Sequence, residues 1–185
     1  SDIDSNTFGS SSHSIKECLT IRTKMVVAQH SFGIPCEIDL ISDICKKKSV
    51  FLLEDCALAL GSKLHNINVG TFGDAALFST DHSKPLNTIT GGLIYTNNVS
   101  IYNKLLTMQY QSNNLSIEKQ KAIWKRFVLE RRYAQPGRFR MLHFFDFIHK
   151  VKSSLIGGVT PFLDEDFSSK TLSQSYPYPS KLPAF

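Results

Sequence analysis

The chain has 185 residues, 42% of them hydrophobic and 20% charged, with a formal net charge of +5. That balance suits a globular domain with a core of its own and excludes a disordered or fibrous chain. No stretch approaches the roughly 18 consecutive apolar residues that a membrane span needs. The four cysteines, at 18, 36, 45 and 56, form no Cys-x-x-Cys pair. They read as buried or free thiols in a reducing compartment, not as a disulfide frame or zinc site. The start, Ser1-Asp2-Ile3-Asp4, is polar and acidic, unlike a secretory signal. A soluble, cytoplasmic protein is expected. The chain lacks an initial Met and stops at Leu182-Pro183-Ala184-Phe185, so a piece of a longer protein is also expected.

In chain order, Met25-Val26-Val27-Ala28-Gln29 is a short apolar run with β-branched residues and predicts a buried strand. Gly33 and Pro35 break the chain. From Glu37 to Lys48, Ile38, Ile41, Ile44 and Cys45 share one helical face, with Leu40 beside it. Acidic Glu37 and Asp39 at its start and Lys46-Lys47-Lys48 at its end suit the helix dipole. Val50-Phe51-Leu52-Leu53 predicts a second buried strand, which makes a right-handed βαβ unit with parallel strands. Residues 64–69 predict a hairpin around Asn66. Ala75–Phe78 and Gly92–Thr96 predict two more strands. Val99–Met108 predicts a helix with Tyr102, Leu105 and Leu106 inward. The expected core is α/β, with helices on a sheet.

Residues 116–156 predict two helices divided at Pro136-Gly137. Met141, Phe144, Phe145, Ile148, Val151 or Lys152, and Leu155 recur there at three- and four-residue spacing. Ten Lys or Arg lie between Lys119 and Lys152 against Glu130 and Asp146, interleaved with Trp124, Phe127, Tyr133 and Phe139. A solvated amphipathic helix accounts for this pattern; contact with an anionic membrane surface or a polyphosphate is the rival reading. No nucleic-acid partner is expected. Residues 160–185, rich in Pro, Ser and Tyr, predict an extended segment.

Ligands of open α/β sheets bind past the carboxyl ends of the strands. Two such ends carry chemistry here: Glu54-Asp55, and Ser79-Thr80-Asp81-His82-Ser83-Lys84. A carboxylate, a hydroxyl and a lysine at neighbouring strand ends make a candidate site. The order is more telling than any one residue. Glu54-Asp55-Cys56-Ala57 is followed by Gly70-Thr71-Phe72-Gly73-Asp74, Phe78-Ser79, Lys84 and Gly91-Gly92. Upstream stand Asp4 with Thr7-Phe8, then Arg22-Thr23-Lys24, then His30-Ser31-Phe32-Gly33-Ile34-Pro35. Downstream stands Tyr176-Pro177-Tyr178-Pro179-Ser180-Lys181-Leu182.

Together these segments resemble the DegT/StrS family of sugar aminotransferases, which depend on pyridoxal 5′-phosphate (PLP). The resemblance implies the large domain of fold type I, a three-layer α/β/α architecture of which the chain holds the middle part. It divides the chain into 1–115 as that central part, 116–159 as a basic helical insertion, and 160–185 as a segment leading to a C-terminal part. It implies that Lys84 holds PLP as a Schiff base, that Asp55 pairs with the ring nitrogen, and that Ser79 donates to the phosphate. Lysine at position 84 implies amino transfer; histidine there goes with dehydration in the family. His82, two residues away, reads as a loop histidine. The family's glutamine in the cofactor region is Leu58 here, and the aromatic after the motif serine is Thr80. His30 is either a wall of the cofactor site or a satisfied structural histidine. The implied reaction moves an amino group, from glutamate, to a nucleotide-linked keto-sugar in a homodimer, for amino-sugar and surface-polysaccharide synthesis. A dehydratase on the same scaffold and a non-catalytic binding module are the alternatives.

Overall fold

Residues 1–81, 83–133, 135–156 and 180–181 are described by the structure, a computed structural model. The expected βαβ unit forms as the sequence pattern dictates. Strand β1 (Met25–Gln29) and strand β2 (Phe51–Asp55) pair in parallel, Met25 beside Phe51 through Gln29 beside Asp55. A short helix, α1 (Ser12–Cys18), precedes them, with Ser11 as its N-cap. Helix α2 (Ile38–Lys48) connects them. It buries Ile38, Ile41, Ser42 and Cys45 and ends on Ser49 in the left-handed conformation. Ile44 is only half-buried, and Ser42 earns its buried place by donating to the Phe72 carbonyl at 2.8 Å.

The hairpin of β3 (Lys63–Leu64) and β4 (Ile67–Asn68) turns on His65 and Asn66, both at positive φ. That is the two-residue turn whose twist matches paired strands. Strand β5 (Ala75–Ser79) joins β2 in parallel, and β6 (Gly92–Tyr95) closes the set antiparallel to β5. The sheet order is β1-β2-β5-β6.

Side chains alternate between the faces of a strand, and the registers sort them. One face carries Val26, Ala28, Leu52, Glu54 and Ala76. It packs on Ile15 of α1 and on Cys36, Ile38, Ile41 and Cys45, and this is the main core. The other face carries Met25, Val27, Leu53, Asp55, Leu77 and Ser79. Met25 and Val27 stay about half exposed there, at 51% and 49%. Two of the three layers of an α/β/α sandwich are thus formed among the described residues.

Helix α3 (Val99–Gln111) buries no residue completely. Leu105 and Leu106 are half-buried as expected, but Tyr102 is exposed, because among the described residues no element covers that side of the helix. The chain falls into two units, Ser1–Asn87 with Gly91–Thr107, and Thr88–Thr90 with Met108–Phe185.

In the second unit, β7 (Asn113–Asn114) pairs with β8 (Ser180–Lys181). The two predicted helices are α4 (Ile117–Tyr133) and α5 (Phe139–Ile156), and the Pro136-Gly137 break falls between them. Ile89, Leu115 and Ile123 form a small core with Phe127 against it. Arg126 of α4 reaches Glu130 at 2.7 Å and Asp146 of α5. Burial lowers the Arg126 pKa, but these two carboxylates outweigh it and raise the group above its ordinary value. Phe145 turns toward Tyr133, at 5.2 Å between rings, while Phe144, Ile148, Val151 and Leu155 remain exposed. No helix among the described residues is long and apolar enough to cross a membrane. His82 and the predicted extended segment, apart from Ser180-Lys181, lie outside the described residues.

Candidate functional site

Two adjacent carboxylates, Glu54 and Asp55, end β2 and meet opposite fates. Glu54 points into the core and is fully buried. One of its oxygens accepts the Phe72 and Gly73 amides at 2.7 and 2.6 Å. The other accepts the Gly70 amide at 2.6 Å and His30 Nε2 at 3.2 Å. Burial pushes the Glu54 carboxyl up, but the hydrogen bonds from His30 and from the Gly73 and Gly70 amides outweigh it and hold the group below its ordinary value. Glu54 therefore fastens the whole 70–73 loop. Gly70 has φ +90, and a Cβ there would meet Phe78 at 2.6 Å. A Cβ on Gly73 would meet the Leu52 carbonyl at 2.7 Å. Asp74 completes the loop: its carboxylate accepts the Leu52 amide at 2.8 Å, and its own amide donates to the Leu52 carbonyl at 2.9 Å.

Asp55 points the other way, onto the face that α1 and α2 leave uncovered. Its carboxylate accepts the Ala57 amide at 3.0 Å. A carboxylate has about four acceptor positions, so Asp55 keeps capacity for a ligand. Ser79 shares its face on the next strand, two residues past Leu77, which is the register partner of Asp55. The Ser79 oxygen accepts the Asp81 amide at 3.4 Å, which leaves its hydroxyl proton to donate elsewhere. Lys84 follows in the loop after β5, half-buried, its amide donating to the Asp81 carbonyl at 3.0 Å. The carboxylate and the hydroxyl thus stand at the carboxyl ends of neighbouring parallel strands, and the lysine closes the turn that leaves one of them.

The remaining predicted residues are placed differently. His30 is buried at 1% exposure, and both ring nitrogens are engaged. Its Nδ1 accepts the Cys36 amide at 3.1 Å, so the ring proton sits on Nε2 and is donated to Glu54. Of the two roles left open for His30, this geometry supports the structural one. Leu58 is a half-buried turn residue whose side chain offers only apolar contact. Thr80 is buried at 3% exposure, on the face opposite Ser79.

His30, Glu54 and Cys56 have donor atoms within 4.8 Å of one another, a grouping of metal-binding types. Glu54 is already saturated by four donors. Burial, then the charges of Glu54 and Asp55, push the Cys56 thiol up to about 12, so it stays protonated. The cluster reads as polar core. A cavity of about 450 Å³ lies at the opposite end of the strands, lined by Lys24, Ser42, Lys46, Leu52, Phe72 and Asp74 among others. It contains none of the predicted site residues and lies on the wrong side of the sheet for strand-end chemistry.

Sequence reasoning named Glu54 beside Asp55 but gave it no role of its own. The signal was present: a charged residue that continues the buried alternation Val50, Leu52 must be paired inside.

The profile of the DegT/DnrJ/EryC1/StrS aminotransferase family matches residues 1–134, and the chain belongs to this family. GDP-perosamine synthase of Escherichia coli O157:H7 is 34% identical over 119 residues, 64% of this chain and 32% of that protein. The solved aminotransferase from Psychrobacter cryohalolentis is 31% identical, with a TM-score of 0.59 over 61% of this chain and 29% of its own. The E. coli GDP-4-keto-6-deoxy-D-mannose-3-dehydratase with bound hydrated PLP is 35% identical, with a TM-score of 0.55 over 58% of this chain and 28% of its own. The chain thus spans about 32% of the length of the first of these relatives. Helix α5 lies beyond the family match.

Proposed function

We propose that this chain carries the central cofactor-binding part of a PLP-dependent aminotransferase acting on a nucleotide-linked keto-sugar. One observation carries the reading: Asp55 and Ser79 share a sheet face at adjacent strand ends, and Lys84 follows in the same turn. The donor set fits the group. A carboxylate with spare acceptor capacity suits a pyridinium nitrogen, a hydroxyl suits a phosphate, and an amine suits an aldehyde. Bound there, PLP supplies an electron sink for the carbon that loses its proton.

The chain's own residues would then divide the work. Asp55 holds the ring proton in place by its negative charge. Ser79 would donate its hydroxyl to the phosphate. Lys84 would anchor the cofactor, and its amine would move a proton at the reacting carbon. The names of the relatives support a nucleotide-linked sugar as substrate. An amino-acid donor such as glutamate and a homodimeric assembly belong to the same proposal.

Dehydration is the second reading, because relatives include GDP-4-keto-6-deoxy-D-mannose 3-dehydratases. Lysine at position 84 favours amino transfer. The test uses the full-length protein with PLP, reduced with borohydride, as wild type and Lys84→Ala. A reduced adduct mapped to Lys84 and absent from the variant is expected. A folded wild type that takes up no PLP overturns the proposal. A keto-deoxy sugar formed without nitrogen transfer selects the dehydratase.

A further inference from the structure

Asp55 has a use only if it faces the uncovered side of the sheet, and what makes it do so lies on the other side. Side chains along a strand alternate strictly, and a slip of one residue exchanges the faces. Glu54 and Asp55 are neighbours, so such a slip would bury Asp55 and expose Glu54. Glu54 is tied inside by three loop amides and by His30. His30 grips the same strand end a second time, its main-chain amide donating to the Asp55 carbonyl at 3.1 Å. Its other ring nitrogen accepts the Cys36 amide, so the ring cannot swing away without losing that bond. The Asp55 carboxylate, by contrast, receives the Ala57 amide at 3.0 Å from its own turn. Its orientation is set by the backbone beneath it.

We propose that Glu54 and His30 are positioning residues for the cofactor, a buried pair that locks β2 in the setting that turns Asp55 toward the ring nitrogen. The inference rests on the role of Asp55 given above. Neither residue touches the site face. Both act through the peptide that joins Glu54 to Asp55, and small displacements of a reacting group carry large penalties.

The experiment compares full-length wild type with Glu54→Gln, His30→Leu and His30→Gln. Glu54→Gln keeps the shape but turns an NH₂ group against N–H donors. His30→Leu removes both ring bonds. His30→Gln puts an amide nitrogen close to where Nε2 donates to Glu54. PLP affinity and the pH midpoint of the lysine-bound cofactor's visible band are measured where circular dichroism shows each variant folded. Glu54→Gln and His30→Leu should raise the PLP Kd about tenfold or more, the scale on which hydrogen-bonded supports of ligand-holding groups act. Both should also move the midpoint, and His30→Gln should restore it. Folded Glu54→Gln and His30→Leu proteins with the wild-type Kd and midpoint overturn the inference while leaving the cofactor reading intact. If Glu54→Gln does not fold, the two His30 variants decide by the same criteria. A wild type that takes up no PLP removes the cofactor reading, and this inference with it.

Discussion

Acid should loosen this fold through Glu54. Its folded pKa lies below the ordinary value of 4.5 because His30 and the loop amides hold the anion. The stabilisation is therefore complete above about pH 4.5 and is lost as the pH falls through the folded value. Each of the four hydrogen bonds to this charged group contributes about 1.5–3 kcal/mol, and burial of the charge offsets several kcal/mol of the total. A net contribution of about 2–4 kcal/mol remains, a large share of a domain's total of roughly 5–15 kcal/mol. The Thr7 amide likewise holds the Asp4 carboxyl below its ordinary value, so acid acts on more than Glu54. The difference between wild type and Glu54→Gln isolates the buried group. Urea titrations at pH 7, 5, 4 and 3 should give a gap of about 2–4 kcal/mol at pH 7 that narrows toward pH 3. A gap that stays constant across this series would refute the role assigned to Glu54.

Gly73→Ala should cost about 1–3 kcal/mol of stability by urea titration, because the added Cβ would lie 2.7 Å from the Leu52 carbonyl. Asp74→Ala should cost about 1–3 kcal/mol in the same assay, because it orphans the Leu52 amide. In native protein, Cys18 alone should react quickly with a thiol reagent at pH 8, and all four cysteines should react in urea. Cys36, Cys45 and Cys56 are buried, and burial, aided by Glu54, pushes Cys36 up to about 12. Arg126→Met should lower the helical circular dichroism signal on mild heating, because Glu130 and Asp146 lose their shared cation. An unchanged signal would mean that α4 and α5 stay together without it.

Much of the first unit was legible because its signals are local. The run Met25–Gln29, the periodic Ile38–Cys45 face and the apolar run through Leu52 each declare an element within a few residues. The hairpin turn at His65-Asn66 does the same. Asp55, Ser79 and Lys84 were picked out by motif order, and the strand register puts Asp55 and Ser79 on one face. What escaped were pairings between distant segments. The four bonds to Glu54 come from residues 30 and 70–73, and the alternation Val50, Leu52, Glu54 announces that it is paired but not by which residues. His30 stayed ambiguous for the same reason, since its partners, Glu54 and Cys36, come from different segments. Tyr102 was misjudged because helical spacing gives the face of a residue and not whether anything covers that face.

The side of the sheet that is left open among the described residues has a consequence for the order of assembly. The segment from Ser11 to Asp55 closes its own core with short-range connections, so it can consolidate early as the chain leaves the ribosome. The face that bears Asp55 and Ser79 gains no such shelter from α1 or α2. Among the described residues, Met25, Val27 and the flank of β6 stay exposed and offer an adhesive surface until other polypeptide covers them. A protein built this way would mature its scaffold first and the face that bears Asp55 and Ser79 last.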